Sequence, residues 1–542
     1  MAPRAFDCVL YNGELEMLLL RLHELKEAVD VFVIAEATRT FNGEPRPLHL
    51  RSHWATVRPF ARKIRYVVIA DDIAEGNARD REAFQRNAVQ RGLLDAADSD
   101  LICVSAVDEI PKADVIRHLK DAAAGLTGLK LATSRYFLNY RNIGDAKENL
   151  ALCCAFPKVV LRNHTPDQLR EGTRHNTIAA TYIDNAGWHF SHLADSSGFM
   201  TKNAANPVRD QTHPPVTVAV AIDIQTTRRH SDDSPLHNGT SWAVVGLDDL
   251  PAHVRENPDS YGHLLVNTDG ALGVRMREKT IDTNQQAWSS IDKQPPVIIC
   301  PYVFDEDREH TIQAFGLDQP HGSQLPFFFW KDEKLIGPER AFEQCWKQFP
   351  DRDVIIVHTD MRPMPGDISN AWYTDLCAQV ERLPDAGLVA CDLLYPLKSA
   401  AGLWYVQCAG GFFKNGRVTH YGGGVSLAEG VATEDAYEYD ERFANVRSSQ
   451  WVTFGGVYIR RETIDMVGDF DERYQWAYVM DVDYCLEAHV RGQGIYQIPV
   501  NLLHEESKTS RKFLSIPEYG TKIGDNMGKF LQKWAWFLNT PT

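Results

Sequence analysis

Along the first part of the chain, apolar and polar positions alternate between two patterns. Val29 to Ala35 and Lys63 to Ile69 are short, nearly continuous apolar runs with the length of buried strands, and Leu101 to Ser105 is another. Arg79 to Ala97, between them, reads as a long helix. Strands alternating with helices predict an α/β fold with a mostly parallel sheet flanked by helices. In such sheets the chemistry gathers at the carboxyl ends of the strands. Glu36 follows the first run, and Ala106-Val107-Asp108-Glu109 follows the third, so two carboxylates are expected at that edge.

From about Thr201 to Asp292 the pattern weakens, with His, Asn, Asp and Pro common, and reads as the periphery of a first domain followed by a connector. Lys293-Gln294-Pro295-Pro296 is the expected boundary, because paired prolines continue neither helix nor sheet. Val297 to Cys300 then opens a second alternating pattern. Strands are expected at Asp353 to His358 and Gly387 to Cys391, and helices at Glu462 to Val467 and Tyr484 to Arg491, the latter closed by Gly492. This predicts a domain over 1–270, a connector over 271–295 and a second domain over 296–542. The final segment, Phe530 to Leu538, is rich in Trp, Phe and Leu. That composition suits peripheral contact with a membrane or partner, but packing against the second domain is preferred, since the segment is short and only modestly basic.

The length of 542 residues agrees with two cores, because single cores stop growing near ~250–300 residues. A formal charge of -16 argues against a nucleic-acid partner, which would select a basic face. The ten cysteines show no CxxC pairs and read as reduced thiols. The N-terminus lacks a charged-then-apolar leader, and no apolar run approaches the ~20 residues of a membrane span. A cytoplasmic protein is expected, with a peripheral position at the inner face of the membrane as the alternative.

The second half carries Gly468-Asp469-Phe470-Asp471-Glu472-Arg473, followed by Met480-Asp481-Val482-Asp483-Tyr484-Cys485-Leu486. Either carboxylate alone would read as a helix cap. Together with Thr359-Asp360-Met361-Arg362-Pro363, the Phe454-Gly455-Gly456-Val457 turn before Arg460-Arg461-Glu462, and the His504 segment, the stretch resembles family 2 glycosyltransferases over about Pro296 to Arg511. The resemblance implies a GT-A fold, a Rossmann-like sheet, and an inverting displacement at an anomeric carbon. It makes Asp481 the base that takes the proton of an acceptor hydroxyl. Asp360 and His504 match the metal positions, where Mn²⁺ or Mg²⁺ would stabilise the departing diphosphate. Asp305 and Asp332 are the donor-binding candidates of this half. The chain departs from the family at His358-Thr359, where aspartates are common, and at Met480, where Glu is common.

The first half carries Phe6-Asp7-Cys8, Asn12-Gly13-Glu14-Leu15, Glu36-Ala37-Thr38-Arg39-Thr40-Phe41-Asn42-Gly43, Glu82-Ala83-Phe84-Gln85-Arg86-Asn87, Val107-Asp108-Glu109-Ile110-Pro111 and Gly187-Trp188-His189-Phe190-Ser191. In this order the six blocks resemble glycosyltransferase family 17, whose known members add β-linked N-acetylglucosamine to a mannose of N-glycans. The resemblance implies a nucleotide-sugar donor here too. Asp108 and Glu109 are the catalytic candidates, and Asp108 with His189 the metal candidates. Glu36, Arg39, Arg81 and Arg86 are the donor-binding candidates, the arginines because a guanidinium forks onto phosphate; for each arginine a surface ion pair is the plainer alternative. At Ala106 the family commonly has Asp. A methyl group cannot ligate a metal, so this site is weakened, or relies on Asp108 and His189, or the residue has been substituted.

The two resemblances imply an α/β protein with two Rossmann-like GT-A type domains in tandem. The expected function is a bifunctional, metal-assisted, inverting glycosyltransferase, transferring hexosyl or N-acetylhexosaminyl groups. UDP-, GDP- or dTDP-sugars are the expected donors and a glycan or lipid-linked glycan the acceptor, in surface polysaccharide or lipopolysaccharide assembly. The alternative keeps one catalytic domain, the C-terminal one, and makes the other a glycan-binding or scaffolding module.

Overall fold

The computed structural model describes residues 2–73, 75–122, 124–135, 137–143, 150–191, 193, 242–265, 294–320, 322–367, 369–475, 478–505 and 517–538. The chain divides into two compact units, 1–291 and 292–542. Most of the weakly patterned stretch after Thr201, and the expected connector up to residue 293, lie outside the described residues.

In the first unit the strands are β1 (Ala5–Leu10), β2 (Val31–Ala37), β3 (Ile64–Ile69), β4 (Leu101–Ala106), β5 (Glu109–Pro111), β6 (Thr127–Lys130), β7 (Ala132–Arg135), β8 (Tyr140–Asn142), β9 (Ala151–Pro157), β10 (Thr181–Ile183), β11 (Gly187–Ser191) and β12 (Trp242–Val244). One sheet runs β10-β6-β9-β4-β1-β2-β3, and a smaller one runs β12-β8-β7-β11-β5. The run β4-β1-β2-β3 is parallel, as the βα alternation predicts. Its strands are apolar along almost their whole length because helices α1 (Leu15–Leu25) and α2 (Ala78–Asn87) and the segments around them bury both faces. Two further helices are α3 (Ala113–Asp121) and α4 (Pro166–Arg174).

Helix α2 starts in a capping box between Asn77 and Asp80, and it is shorter than the expected Arg79 to Ala97. At Ala88 the chain tightens into a 3₁₀ turn ending at Gly92. There a side chain would meet Val33 Cγ1 at 2.5 Å, so close packing on β2 ends the helical run.

Beneath this sheet Arg21 of α1 is fully buried and grips Asp7 of β1, with Nε to Oδ2 at 2.6 Å and Nη2 to Oδ1 at 2.5 Å. Its remaining donors reach Ser105 Oγ at 2.7 Å and the carbonyls of Ala106 at 3.0 Å and Glu109 at 2.7 Å. One side chain thus ties α1, β1 and the end of β4. Arg21→Met would strand the Asp7 charge in the core, a loss of ~3–5 kcal/mol. Denaturant unfolding followed by hydrogen exchange of β1 should show it, and a wild-type midpoint would refute it.

In the second unit the strands are β13 (Val297–Tyr302), β14 (Phe327–Lys331), β15 (Val354–Ile356), β16 (Met361–Pro363), β17 (Ala386–Lys398), β18 (Trp404–Cys408), β19 (Gly411–Lys414), β20 (Arg417–His420), β21 (Val425–Ser426), β22 (Val431–Ala432), β23 (Arg447–Ser448), β24 (Val457–Ile459) and β25 (Gly494–His504). The main sheet runs β14-β13-β15-β24-β17-β25-β16, with β18 paired to β17 and β23 to β25. The pairs β13-β14, β13-β15 and β17-β25 are parallel, while β24 and β16 run antiparallel to their neighbours.

The helices of this unit are α5 (Asp305–Ala314), α6 (Pro338–Trp346), α7 (Ala371–Glu381), α8 (Arg461–Val467), α9 (Met480–Val490) and α10 (Pro517–Leu538). Alternate strand residues feed two cores. Val297, Ile299, Val354 and Ile356 pack with Phe342, Trp346, Phe454, Phe470 and Tyr484. Ile298 and Ile355 pack on the other face with Phe315, Trp372 and Leu376.

Helix α9 begins four residues earlier than the expected Tyr484, placing Asp481 and Asp483 in its first turn. The residues before it, Tyr478 and Val479, have φ of 69° and 58°, a costly conformation for a β-branched side chain. Within α10, Phe530 and Trp534 are buried in the first of these cores. Trp534 Nε1 donates to Asp483 Oδ1 at 2.7 Å, and Lys533 Nζ lies 2.8 Å from Asp483 Oδ2 and from Glu487 Oε1. Among the described residues no helix is long and apolar enough to cross a membrane, and the ten cysteines are free thiols.

Candidate functional site

The antiparallel pairing of β16 with β25 sets Met361 opposite His504. It thereby brings Asp360, in the turn just before β16, to the last residue of β25, and Glu505 N–H donates to Asp360 O at 2.9 Å. His504 Nε2 lies 3.1 Å from Asp360 Oδ1. His358 completes the group: ligand atoms of His358, Asp360 and His504 all fall within 4.8 Å of one another.

Each of the three is held. His358 stacks on Phe342 of α6, centroids 5.7 Å apart and planes 9° from parallel, and its Nε2 is a buried atom with no hydrogen-bond partner. Burial first, then the neighbouring His504, pushes its imidazole down to about 4, so it is neutral and carries a free lone pair at physiological pH. His504 Nδ1 lies 2.7 Å from Gln407 Oε1 on β18. With Nδ1–H donating to that amide, Nε2 is left as the lone-pair nitrogen facing Asp360. Two imidazoles and a carboxylate converging on one point, one ring nitrogen unpartnered, fit a divalent transition-metal ion such as Mn²⁺.

Asp481 stands half-buried in the first turn of α9, and burial pushes its carboxyl up to about 6. Such a group is ionised at neutral pH yet basic enough to accept a proton in a transition state. Of the other candidates in this half, exposed Asp305 pairs with Lys331 at 2.7 Å. Asp332 is buried and accepts the backbone N–H groups of Ile336 at 3.1 Å and Gly337 at 3.3 Å, shaping the entry to α6.

In the first unit the pairing of β5 with β11 sets the backbone of Asp108 and Glu109 beside Phe190 and His189, while Glu36 is engaged elsewhere. β11 pairs with β5 so that His189 faces Glu109, and Phe190 N–H donates to Asp108 O at 2.9 Å. His189 Nδ1 is 3.5 Å from Thr133 Oγ1. Glu109 is buried, paired with Arg170 at 2.6 Å, and accepts Ala106 N–H at 2.6 Å. Glu36 is fully buried and accepts from His49 N–H at 2.6 Å, Leu50 N–H at 3.1 Å and the Tyr66 hydroxyl at 2.6 Å. Ala106 ends β4 beside Leu10 of β1. Arg81 pairs with Asp72 at 3.1 Å, exposed Arg39 donates to Gly43 O at 2.8 Å, and buried Arg86 is engaged by Glu82 and Asp167.

Two site residues escape a reading of the sequence. His358 stands where aspartates were expected, although its i, i+2 spacing from Asp360 at a strand end was a usable signal. Gln407 has no local signal, being 97 residues from the ring it orients. Gln407→Leu should weaken Mn²⁺ affinity ~10–100-fold, the usual cost of removing a partner that orients a ligand. Isothermal titration would read this, and unchanged affinity would remove Gln407 from the site.

The glycosyltransferase family 17 model matches residues 1–212. The human beta-1,4-mannosyl-glycoprotein 4-beta-N-acetylglucosaminyltransferase (Homo sapiens) is 32% identical over 127 residues, 22% of this chain and 24% of that protein. Its Rattus norvegicus counterpart is 32% identical over 127 residues, 22% of this chain and 23% of that protein. The chain therefore spans about a quarter of the length of the curated relatives it matches. Among solved structures, one of GalNAc-T7 with UDP, GalNAc and Mn²⁺ aligns at 9% identity over 40% of this chain and 44% of that one, TM-score 0.28. One of A197 from STIV aligns at 10% identity over 38% and 80%, TM-score 0.20. The family 2 resemblance of the second unit rests on its own motifs, whereas over residues 1–212 the first unit matches the glycosyltransferase family 17 model.

Proposed function

We propose that this chain is a glycosyltransferase that uses nucleotide-sugar donors, with a metal-assisted inverting site in the second unit built from His358, Asp360, His504 and Asp481. The reading is carried by the convergence of two imidazoles and a carboxylate, one ring nitrogen unpartnered, in the same unit as a half-buried carboxyl of raised pKa. His358, Asp360 and His504 would hold Mn²⁺ or Mg²⁺, which when bound supplies Lewis-acid stabilisation of the departing nucleoside diphosphate. Asp481 takes the proton from the acceptor hydroxyl as that oxygen bonds to the anomeric carbon and the carbon–diphosphate bond breaks. Gln407 fixes the His504 tautomer.

In the first unit the reading keeps Asp108 and His189 as the centre of a second, family 17-like site and supports transfer of an N-acetylhexosamine. The alternative, a first unit that binds glycan without turning over a donor, is favoured by Ala106 and by the full engagement of Glu36 and Glu109 with backbone, Tyr66 and Arg170. Assembly of a surface polysaccharide or lipopolysaccharide, at the cytoplasmic face of a membrane, remains the proposed setting.

The test is nucleoside diphosphate release from UDP-, GDP- and dTDP-sugars, with Mn²⁺ or EDTA, by the intact chain, Asp360→Ala and Asp108→Ala. Loss of release from different donors supports two sites. Loss with Asp360→Ala alone supports one site and a binding module. EDTA-resistant release, unaffected by either substitution, would defeat the proposal.

A further inference from the structure

The carboxylate assigned as the base is carried by a turn that needs outside support. Tyr478 and Val479, directly before α9, stand at φ of 69° and 58°, and two such residues in succession persist only where surrounding contacts over-determine them. Asp481 accepts Val482 N–H at 2.9 Å, a bond within its own turn, so its place is set by whatever fixes that turn.

The support comes from α10, whose Asn526, Lys529, Lys533 and Trp534 fall on one helix face. Ahead of the turn, fully buried Asn526 accepts Gln475 N–H at 3.0 Å and donates from Nδ2 to Gln475 O at 2.7 Å, while Lys529 Nζ donates to Arg473 O at 2.8 Å. Behind it stands Asp483, 3% exposed, whose N–H donates to Val479 O at 2.8 Å. Trp534 Nε1–H at 2.7 Å and the Tyr474 hydroxyl at 2.9 Å both donate to Asp483 Oδ1, and Lys533 Nζ lies 2.8 Å from Oδ2. Lys533 also reaches Asp471 at 3.1 Å and Glu487 at 2.8 Å. The chain is therefore fastened to α10 on both sides of Tyr478 and Val479, and Phe530 and Trp534 seat the helix in the core.

We propose that α10 is a clamp for the base: Asp483, gripped by Trp534 and Lys533, is a positioning residue that fixes the first turn of α9 and with it the direction in which Asp481 meets the acceptor hydroxyl. The clamp acts on the acceptor side of the reaction. The metal group stands at the ends of β15, β16 and β25 and shares none of these bonds. Because a misplacement of ~1 Å costs as much as 10²-fold in rate, the loss of one donor from this buried carboxylate should be visible in kcat. The inference rests on the transferase reading for its catalytic meaning, whereas the clamp itself can be measured without turnover.

The experiment compares the intact wild-type chain with Trp534→Phe, which keeps a buried ring and removes the Nε1 donor, and with Lys533→Met, which keeps the apolar stem and removes the charge. Hydrogen exchange read by mass spectrometry should quicken ~10-fold over 478–486 in both variants and stay at the wild-type rate in β13 and β15. Unchanged exchange over 478–486 overturns the clamp, and so does a quickening shared equally by β13 and β15, which would mean a general loss of stability. In donor turnover, kcat should fall ~10-fold in each variant while donor KM and Mn²⁺ affinity hold, since the base is present but misaligned. The acidic limb of kcat should keep its wild-type midpoint for the same reason. A wild-type kcat in Trp534→Phe, or a loss of Mn²⁺ affinity as large as the loss in kcat, overturns the positioning role. If the wild type turns over no donor, the transferase reading falls and exchange decides the clamp alone: local quickening upholds it, and its absence removes it.

Discussion

Asp360→Ala is expected to lower Mn²⁺-dependent nucleoside diphosphate release by roughly 10²–10³-fold, about 3–4 kcal/mol of transition-state stabilisation. Two losses combine. Asp360 is the only carboxylate in the group of three, so its removal leaves two neutral imidazoles to balance a dication. It is also the 3.1 Å neighbour of His504 Nε2, so the ring loses the group it faces. His504→Ala should match this loss within a factor of a few, since each ligand is needed for the same ion and ligand deletions are not additive. Titration calorimetry with Mn²⁺ on both variants separates lost metal from misfolding, with circular dichroism as the control. Full Mn²⁺ affinity in Asp360→Ala would remove the metal site from the proposal.

The second large effect is on the base. Asp481→Asn keeps shape and the first-turn position of α9 but cannot accept a proton, and kcat should fall ~10²–10⁴-fold with KM for the donor little changed. The pH dependence gives the sign: the catalytic form is the carboxylate, so wild-type kcat should rise with pH through about 6, where Asp481 loses its proton. The variant should lack that rise. An acidic limb that survives Asp481→Asn would assign the base to another group. A fall in donor affinity equal to the fall in kcat would make Asp481 a binding residue.

Much of the framework could be read from apolar runs. The segments expected as β2, β3, β4, β13 and β15 are strands to within a few residues, because strands buried on both faces leave uninterrupted runs. Helix ends were less legible. The tightening after Ala88 depends on Gly92 meeting Val33, and the early start of α9 on two residues at positive φ, and neither leaves a periodic trace. Asp360 and His504 were found through ordered motifs. His358 was not: its i, i+2 spacing from Asp360 was a signal, but a histidine beside a strand end does not show in the sequence whether its nitrogen is satisfied.

The first unit shows a different limit. Glu36 and Glu109 lie where catalytic carboxylates of α/β sheets lie, but the same strand ends expose backbone N–H groups. A carboxylate that caps them has the same sequence position as one that meets a substrate. Only the observed partners, His49 and Leu50 N–H for Glu36 and Arg170 for Glu109, distinguish the two uses.

The antiparallel register between Met361 and His504 makes the second unit's site intolerant of length change in a way its residue identities do not reveal. β25 spans eleven residues and is locked along its other side to β17. Inserting or deleting one residue within it would turn His504 to the opposite face of the sheet while every ligand stayed in the sequence. Relatives of this unit should therefore vary in length in the β19–β20 and β21–β22 hairpins and hold constant spacing from Gly494 to His504. A family survey that scored only which residues are present would count as intact a site that a single codon had dismantled.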